Sequence, residues 1–167
     1  TNTMYGIEGL ELLKMGFLPR AALDAMLTKD PDRELRQVAM IDAAGEKAAF
    51  TGSDTVEWKG HMIRNDCVAA GNMLSSANVL ETMIEAFETS QGWLPERLIR
   101  ALEAGEAAGG DKRGKVSAAL LVVGDEKLPE TRPFLDLRVD IHDEPVRELR
   151  RVFEAYKRWI GVEAGYR

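Results

Sequence analysis

AGEAAGGDKRGKVSAALLVV, residues 104–123, joins a predicted helix to a predicted strand through a glycine-rich, basic loop. Gly109 and Gly110 can adopt positive φ, which lets the backbone turn tightly or approach another group closely. Exposed amides beside Lys112 and Arg113 would form an anion pocket; the alternative is an ordinary helix C-terminus with two solvated cations. The loop lacks Walker A spacing, so we do not interpret it as a nucleotide site.

The strands around this loop indicate the fold class. Residues 117–123 are nearly all apolar, which predicts a central strand covered on both faces. Residues 37–42 and 47–51 predict a hairpin, because a turn ending in Gly45 joins two strand-like runs. In residues 135–142, Leu135, Leu137, Val139 and Ile141 alternate with polar side chains, as in a strand with two different faces.

Helices are predicted before, between and after these strands. The first carries an apolar face and ends at Gly16, and prolines open the helices that start near positions 19, 95 and 145. Residues 67–71 predict a further strand, whereas residues 58–61 are predicted to be irregular. The first helix is expected to bury Leu10, Leu12, Leu13 and Met15. Such an order predicts an α+β fold, although about five strands are few for a layered domain.

Composition excludes several classes of protein. The 167 residues are 45% hydrophobic and 30% charged, which predicts one globular domain over residues 1–167. The net charge of −6 argues against nucleic acid or an anionic membrane as the main partner. Cys67 is the single cysteine, which favours a reducing, cytoplasmic compartment. The two histidines, His61 and His142, with one cysteine provide few of the usual ligands of a zinc site. We predict neither a metal nor a cofactor.

Several stretches together resemble a known family over essentially the whole chain. The family comprises the bacterial and archaeal proteins catalogued as domain of unknown function 1028, and it is similar to the N-terminal nucleophile (Ntn) hydrolases. The resemblance implies a four-layer α/β/β/α sandwich and cleavage of amide bonds, without naming a substrate. The stretches are TNTMYG (1–6), RQV (36–38), FTG (50–52), WKGH (58–61), GNML (71–74), residues 104–114 with SAALLV (117–122), and DLRVD (136–140).

The chain departs from the family pattern at two places. Val116 stands where family members usually carry glutamine, so any polar role of that side chain is absent. Family chains also have a strand-rich segment upstream of the position matched by Thr1. We therefore expect the sandwich to be incomplete without that segment, and we expect as partner either the segment as a separate chain or a second copy. Otherwise Thr1 is only a boundary of the sequence.

The resemblance to N-terminal nucleophile hydrolases makes Thr1 a candidate nucleophile. A threonine hydroxyl beside a free α-amine combines a nucleophile with its base. If a precursor is cleaved before Thr1, Asn2 can orient the nucleophile or donate to an oxyanion. Against this, Ntn nucleophiles lead a strand, and Thr1 precedes a predicted loop and helix. Asn72 is a candidate oxyanion donor or a turn residue, and His61 a candidate acid or base or a surface histidine.

Two charged groups are candidates for substrate binding. Asp111, Lys112 and Arg113 would bind an anionic end of a substrate. Asp136, Arg138 and Asp140, with His142, would either line a cavity or form a structural network. Cys67 is expected to be an inert, buried thiol. The predicted function is hydrolysis of a small amide or peptide; the alternative is a non-catalytic binding or scaffold protein on the same fold.

Overall fold

The computed structural model describes residues 2–123 and 135–159. This part of the chain contains five α-helices and three two-stranded antiparallel sheets. The predicted α+β class is confirmed. The helices are α1 (Met4–Lys14), α2 (Pro19–Lys29), α3 (Asn78–Thr89), α4 (Leu94–Ala107) and α5 (Pro145–Trp159), and a short 3-10 helix covers Arg33–Leu35. The strands are β1 (Gln37–Ile41), β2 (Lys47–Thr51), β3 (Gly60–Ile63), β4 (Val68–Gly71), β5 (Ala118–Val122) and β6 (Leu135–Val139).

The β1–β2 hairpin packs against α2, and its prediction is confirmed. Its register runs from Gln37↔Thr51 to Ile41↔Lys47. Alternate residues of the hairpin join the buried face of α2, where Leu23 is fully buried. The predicted face of α1 is wrong in part, because Leu10 is 61% exposed and Met15 is 73% exposed. Tyr5 and Gly9 are the residues that α1 buries instead.

The β3–β4 pair includes a strand that was not predicted. β3 begins within the segment 58–61, which we expected to be irregular, and pairs with β4 from Gly60↔Gly71 to Ile63↔Val68. Four residues that start with glycine give little periodic signal, so only the pairing with β4 defines this strand. α3 covers one face of the pair, where Ala69, Leu80 and Ile84 form a buried cluster.

The β5–β6 pair is covered by α4 and α5 on one face only. Leu120, Val122, Leu135 and Val139 are buried there with three helix residues that are fully buried: Ile99, Leu149 and Phe153. The expectation that residues 117–123 are covered on both faces is wrong, since Leu121 is 61% exposed and Val123 is 77% exposed. The alternation predicted for β6 holds up to Val139, but Ile141 lies beyond the strand and is exposed.

The glycine-rich loop after α4 turns as expected and then runs beside the chain that follows β4. Gly109 and Gly110 have φ of 112° and 50°, in the left-handed region that favours glycine. The N–H of Ser75 donates to the carbonyl of Gly110 at 2.9 Å, and the N–H of Lys112 donates to the carbonyl of Met73 at 2.8 Å. The loop therefore holds the backbone immediately after Asn72. Over the described parts of the chain, no helix combines the length and the apolar composition needed to cross a membrane.

Candidate functional site

A cleft of about 440 Å3 opens at the start of α1, between the segment leading into β1 and the turn after β4. Three of the stretches quoted above, at positions 1–6, 36–38 and 71–74, meet there although they are far apart in the sequence. The residues that line the cleft are Asn2, Thr3, Tyr5, Gly6, Leu35, Arg36, Gln37, Val38, Ala39, Thr55 and Asn72.

Asn2 and Asn72, both candidates for an oxyanion donor, line this same cleft. The Oδ1 atom of Asn2 accepts a hydrogen bond from the N–H of Met4 at 3.1 Å, which ties its side chain to the first turn of α1. Within the described residues, the Nδ2 group of Asn2 and the whole side chain of Asn72 have no hydrogen-bond partner. Both carboxamides therefore keep N–H donors that a carbonyl oxygen in the cleft could use.

The turn that carries Asn72 is strained and firmly held. Met73 has φ of 58°, an uncommon value for a residue other than glycine. Such a conformation costs on the order of 1–3 kcal/mol and persists only where surrounding contacts enforce it. Here the N–H of Met73 donates to the carbonyl of Val56 at 3.0 Å, and its own carbonyl accepts from Lys112. Two separate segments thus fix the backbone beside Asn72.

Arg36, on one wall of the cleft, forms a half-buried ion pair with Asp30 behind it. Nε of Arg36 lies 2.7 Å from Oδ2 of Asp30, and these side chains are only 15% and 9% exposed. The hydrogen bond from Arg36 is the main cause that lowers the pKa of Asp30 to about 2. The hydroxyl of Tyr5 donates to the same oxygen at 3.0 Å. Burial, together with that bond, raises the pKa of Tyr5 to about 12, so it stays protonated at neutral pH. This wall therefore presents fixed, paired groups.

Gln37 connects the two hairpins at the inner end of the cleft. Its Nε2 group lies within hydrogen-bond distance of three acceptors: the carbonyl of Gly60 at 3.0 Å, the carbonyl of Gly71 at 2.9 Å and Oγ1 of Thr51 at 3.1 Å. Its two protons are shared among them. Oγ1 of Thr51 lies 2.9 Å from Nδ1 of His61. His61 does not line the cleft and reaches it only through Thr51 and Gln37.

Comparison with known proteins agrees with the resemblance of these stretches. The model of a family of unknown function, DUF1028, matches residues 1–149. The chain belongs to the DUF1028 family. A solved DUF1028 structure, protein SPO2555 from Silicibacter pomeroyi, is 36% identical with a TM-score of 0.83, over 93% of this chain and 68% of that one. No curated protein matches the chain.

The remaining predicted residues of this DUF1028 chain lie away from the cleft or outside the described residues. Thr1 is outside them. Nε of Arg113 donates to Oδ1 of Asp111 at 3.0 Å, a bond that lowers the pKa of Asp111. Nζ of Lys112 donates to the carbonyl of Glu57. Lys112 and Arg113 thus both have partners in the fold, and their bonds tie the loop to itself and to the segment before β3.

The polar face of β6 is solvated rather than enclosed. Asp136 and Arg138 are exposed on the strand, and Arg138 pairs with Asp140 at 2.7 Å. An exposed pair of this kind contributes about 0–1 kcal/mol to stability. His142 is also exposed, and its Nδ1 accepts from the N–H of Glu144 just before α5. Of the two interpretations of this face, a cavity wall or a structural network, the described structure shows only the second, as an exposed pair of Arg138 and Asp140.

Gln37, Thr51 and Arg36 are site residues that sequence reasoning did not select. All three lie in stretches that we quoted for the DUF1028 resemblance, but we interpreted them only as strand or strand-end residues. One signal was available: Gln37 and Thr51 are polar residues at the ends of the two predicted strand runs away from the turn, and the structure pairs them. Cys67, in contrast, was expected to be buried and is half-buried; burial still raises the pKa of its thiol, which fits an inert cysteine.

Proposed function

We propose that the chain is the larger part of an N-terminal nucleophile hydrolase that cleaves amide or peptide bonds, with Thr1 as nucleophile. The observation that carries the proposal is the cleft shared by Asn2 and Asn72. Asn2, which lines the cleft, directly follows the predicted nucleophile Thr1 in the sequence. A volume of about 440 Å3 suits a small ligand or the reacting part of a peptide.

The proposed reaction proceeds in two steps. Oγ1 of Thr1 attacks the carbonyl carbon of the substrate while the α-amine of Thr1 takes the hydroxyl proton. The oxyanion accepts hydrogen bonds from the carboxamides of Asn2 and Asn72. The tetrahedral intermediate then collapses, the C–N bond breaks, and the proton passes to the leaving amine. Water, deprotonated by the same α-amine, hydrolyses the acyl-threonine ester and releases the acid. This mechanism uses no cofactor.

The electrostatics of the cleft favour an uncharged substrate. Arg36 lies on the wall, but its charge is neutralised by Asp30 at 2.7 Å. The polar groups left for a ligand are carboxamides, threonine hydroxyls and backbone groups, which suit the polar but neutral amide bond. In this proposal His61 is a positioning residue, because it acts on the cleft through Thr51 and Gln37.

We also propose the four-layer α/β/β/α arrangement expected for Ntn hydrolases. Its support is the order of contacts: α2 packs on the β1–β2 hairpin, that hairpin contacts the β3–β4 pair, and α3 covers the far side of β3–β4. Because Cys67 is the single cysteine, we further propose a cytoplasmic location.

Intact-mass spectrometry of the complete gene product tests the proposal, with Thr1→Ala and Thr1→Ser as variants. The wild type should yield two fragments, the second beginning at Thr1. The serine variant should still be processed, because it keeps the hydroxyl, while the alanine variant should stay whole. If wild type and both variants all stay whole, Thr1 is not a self-processing nucleophile and the proposal fails.

A non-catalytic binding protein on the same fold is the second candidate. Its favouring observation is that Arg36, the one charged side chain among the described residues that line the cleft, is already paired with Asp30. Such a protein would need no defined threonine terminus. Isothermal titration of a Thr1→Ala chain with a library of small amides separates the two functions: binding without any wild-type turnover favours the binding protein.

A further inference from the structure

The glycine-rich loop borders a second pocket, of about 440 Å3, which shares no lining residue with the cleft. We call it the loop pocket, because residues 109–111 of the loop are part of its lining. Val79 and Met83 of α3, Leu102 of α4 and Val146 of α5 supply apolar walls. A pocket of this size, with mainly apolar walls and a few polar groups, is typical of a small-molecule site.

The charged groups that line the loop pocket, together with their ion-pair partners, carry one negative charge in excess. Nζ of Lys115 lies 3.0 Å from Oε1 of Glu106 and also pairs with Glu144. Asp111 is paired with Arg113. Three carboxylates thus face two cations, which favours a positively charged ligand over an anion.

Glu106 has an oxygen left for such a ligand. Its side chain is 27% exposed, whereas its Oε1 atom is buried beside Lys115. Its Oε2 atom accepts no hydrogen bond from a described residue. An ionised carboxylate can only accept hydrogen bonds, and a charged donor gives it a stronger bond than a neutral donor. The complementary ligand group is therefore a primary ammonium.

The loop pocket adjoins the turn that carries Asn72. Leu74 and Asp111 both line the pocket, and they form a bridge between the chain after β4 and the loop. Next to this bridge, the N–H of Lys112 donates to the carbonyl of Met73 at 2.8 Å. A ligand that holds the loop therefore also holds the backbone of Met73, whose φ of 58° depends on such contacts. Asn72, which directly precedes Met73, lines the cleft.

We propose that the loop pocket binds a small organic cation, a primary ammonium on an apolar body, and that the bound ligand stabilises the turn that carries Asn72. The ammonium donates to Oε2 of Glu106, and the body lies against the apolar side chains of α3, α4 and α5. The loop pocket and the cleft are coupled through this turn, so the loop pocket is a regulatory site. Its occupancy does not depend on the chemistry of Thr1.

Methionine methyl NMR of the complete gene product tests the binding. The probes are phenethylamine, phenethyl alcohol and hydrocinnamate, which share an apolar body and differ in the head group. We expect the amine to shift the methyl signal of Met83, which Met83→Leu assigns. The signal of Met15 should not move, because Met15 is 73% exposed and lies outside the pocket. The alcohol should bind about tenfold more weakly than the amine, because it lacks the charge, and the acid should not bind.

Two variants and an exchange experiment complete the test. Glu106→Gln should weaken binding of the amine about tenfold and leave binding of the alcohol unchanged. Glu81→Gln is the matched control, because Glu81 is exposed on α3 and does not line the loop pocket. Saturation with the amine should slow hydrogen–deuterium exchange of the N–H groups of Met73, Ser75 and Lys112 roughly fivefold, because their hydrogen bonds hold the turn.

Three results would overturn the proposal. In the first, the three probes shift the Met83 signal equally or not at all, so that the pocket does not select a cation. In the second, Glu106→Gln binds the amine as tightly as the wild type does. In the third, exchange in the turn is the same with and without saturating amine, so that the two sites are not coupled. If circular dichroism shows that Glu106→Gln does not fold, the comparison of the three probes on the wild type decides the charge preference.

Discussion

Replacing Gln37 with leucine tests whether this residue connects the two hairpins beside the cleft. Its Nε2 group donates to the carbonyls of Gly60 and Gly71 at 3.0 and 2.9 Å. Leucine has a similar volume but no donor, so both carbonyls lose that partner. At about 0.5–1.5 kcal/mol net for each hydrogen bond, the free energy of unfolding should fall by about 1–3 kcal/mol. The bond to Thr51 adds little, because that hydroxyl keeps His61 as a partner.

Urea unfolding and thermal melting would measure this loss. For a chain of this size, a loss of about 2 kcal/mol corresponds to a decrease in Tm of roughly 4–8 °C. Gln91→Leu is the matched control, because Gln91 is exposed after α3 and makes no hydrogen bond to another described residue. If Gln37→Leu is no less stable than Gln91→Leu, then Gln37 does not hold the hairpins together and the description of the site is wrong.

Two further predictions concern the surroundings of the cleft. Gly52→Ala should destabilise the chain by more than about 2 kcal/mol, because an added Cβ would lie 2.2 Å from the carbonyl oxygen of Glu34. Gly6→Ala in α1 is the control, because an added Cβ there has no atom within 4 Å. In the same urea experiment the control should be neutral or stabilising. Asp30→Asn should remove an acid-sensitive part of stability, because Arg36 lowers the folded-state pKa of Asp30 from 3.8 to about 2. The stability advantage of wild type should be complete above about pH 4 and shrink as pH falls toward 2. An advantage that stays constant from pH 6 to 2 would contradict this assignment.

The helices and the first hairpin could be predicted from local sequence alone. Prolines at positions 19, 95 and 145 lie at helix starts because proline suits the first turn, where its missing N–H costs nothing. The β1–β2 hairpin has both strand runs and its turn within 15 residues, so its register depends on neighbouring residues. Asn2 and Asn72 were selected through the family resemblance and amide chemistry, and the fold places both on one cleft.

Other features depend on contacts between distant residues. β3 exists because β4 pairs with it, which its own four residues do not indicate. The apolar run at β5 predicted cover on both faces, but composition cannot show that helices cover only one of them. Gln37 looked like an ordinary strand residue, and its three acceptors come from β2, β3 and β4.

The sequence by itself determined the family, the α+β class and most helices, because these follow from motifs and from periodicity along the chain. Only the tertiary structure decided that Asn2 and Asn72 share a cleft, whereas Lys112 and Arg113 are held within the fold. The physical reason is that hydrogen-bond partners are chosen by distance in space. Lys112 and Glu57, 55 positions apart, meet only after the chain has folded.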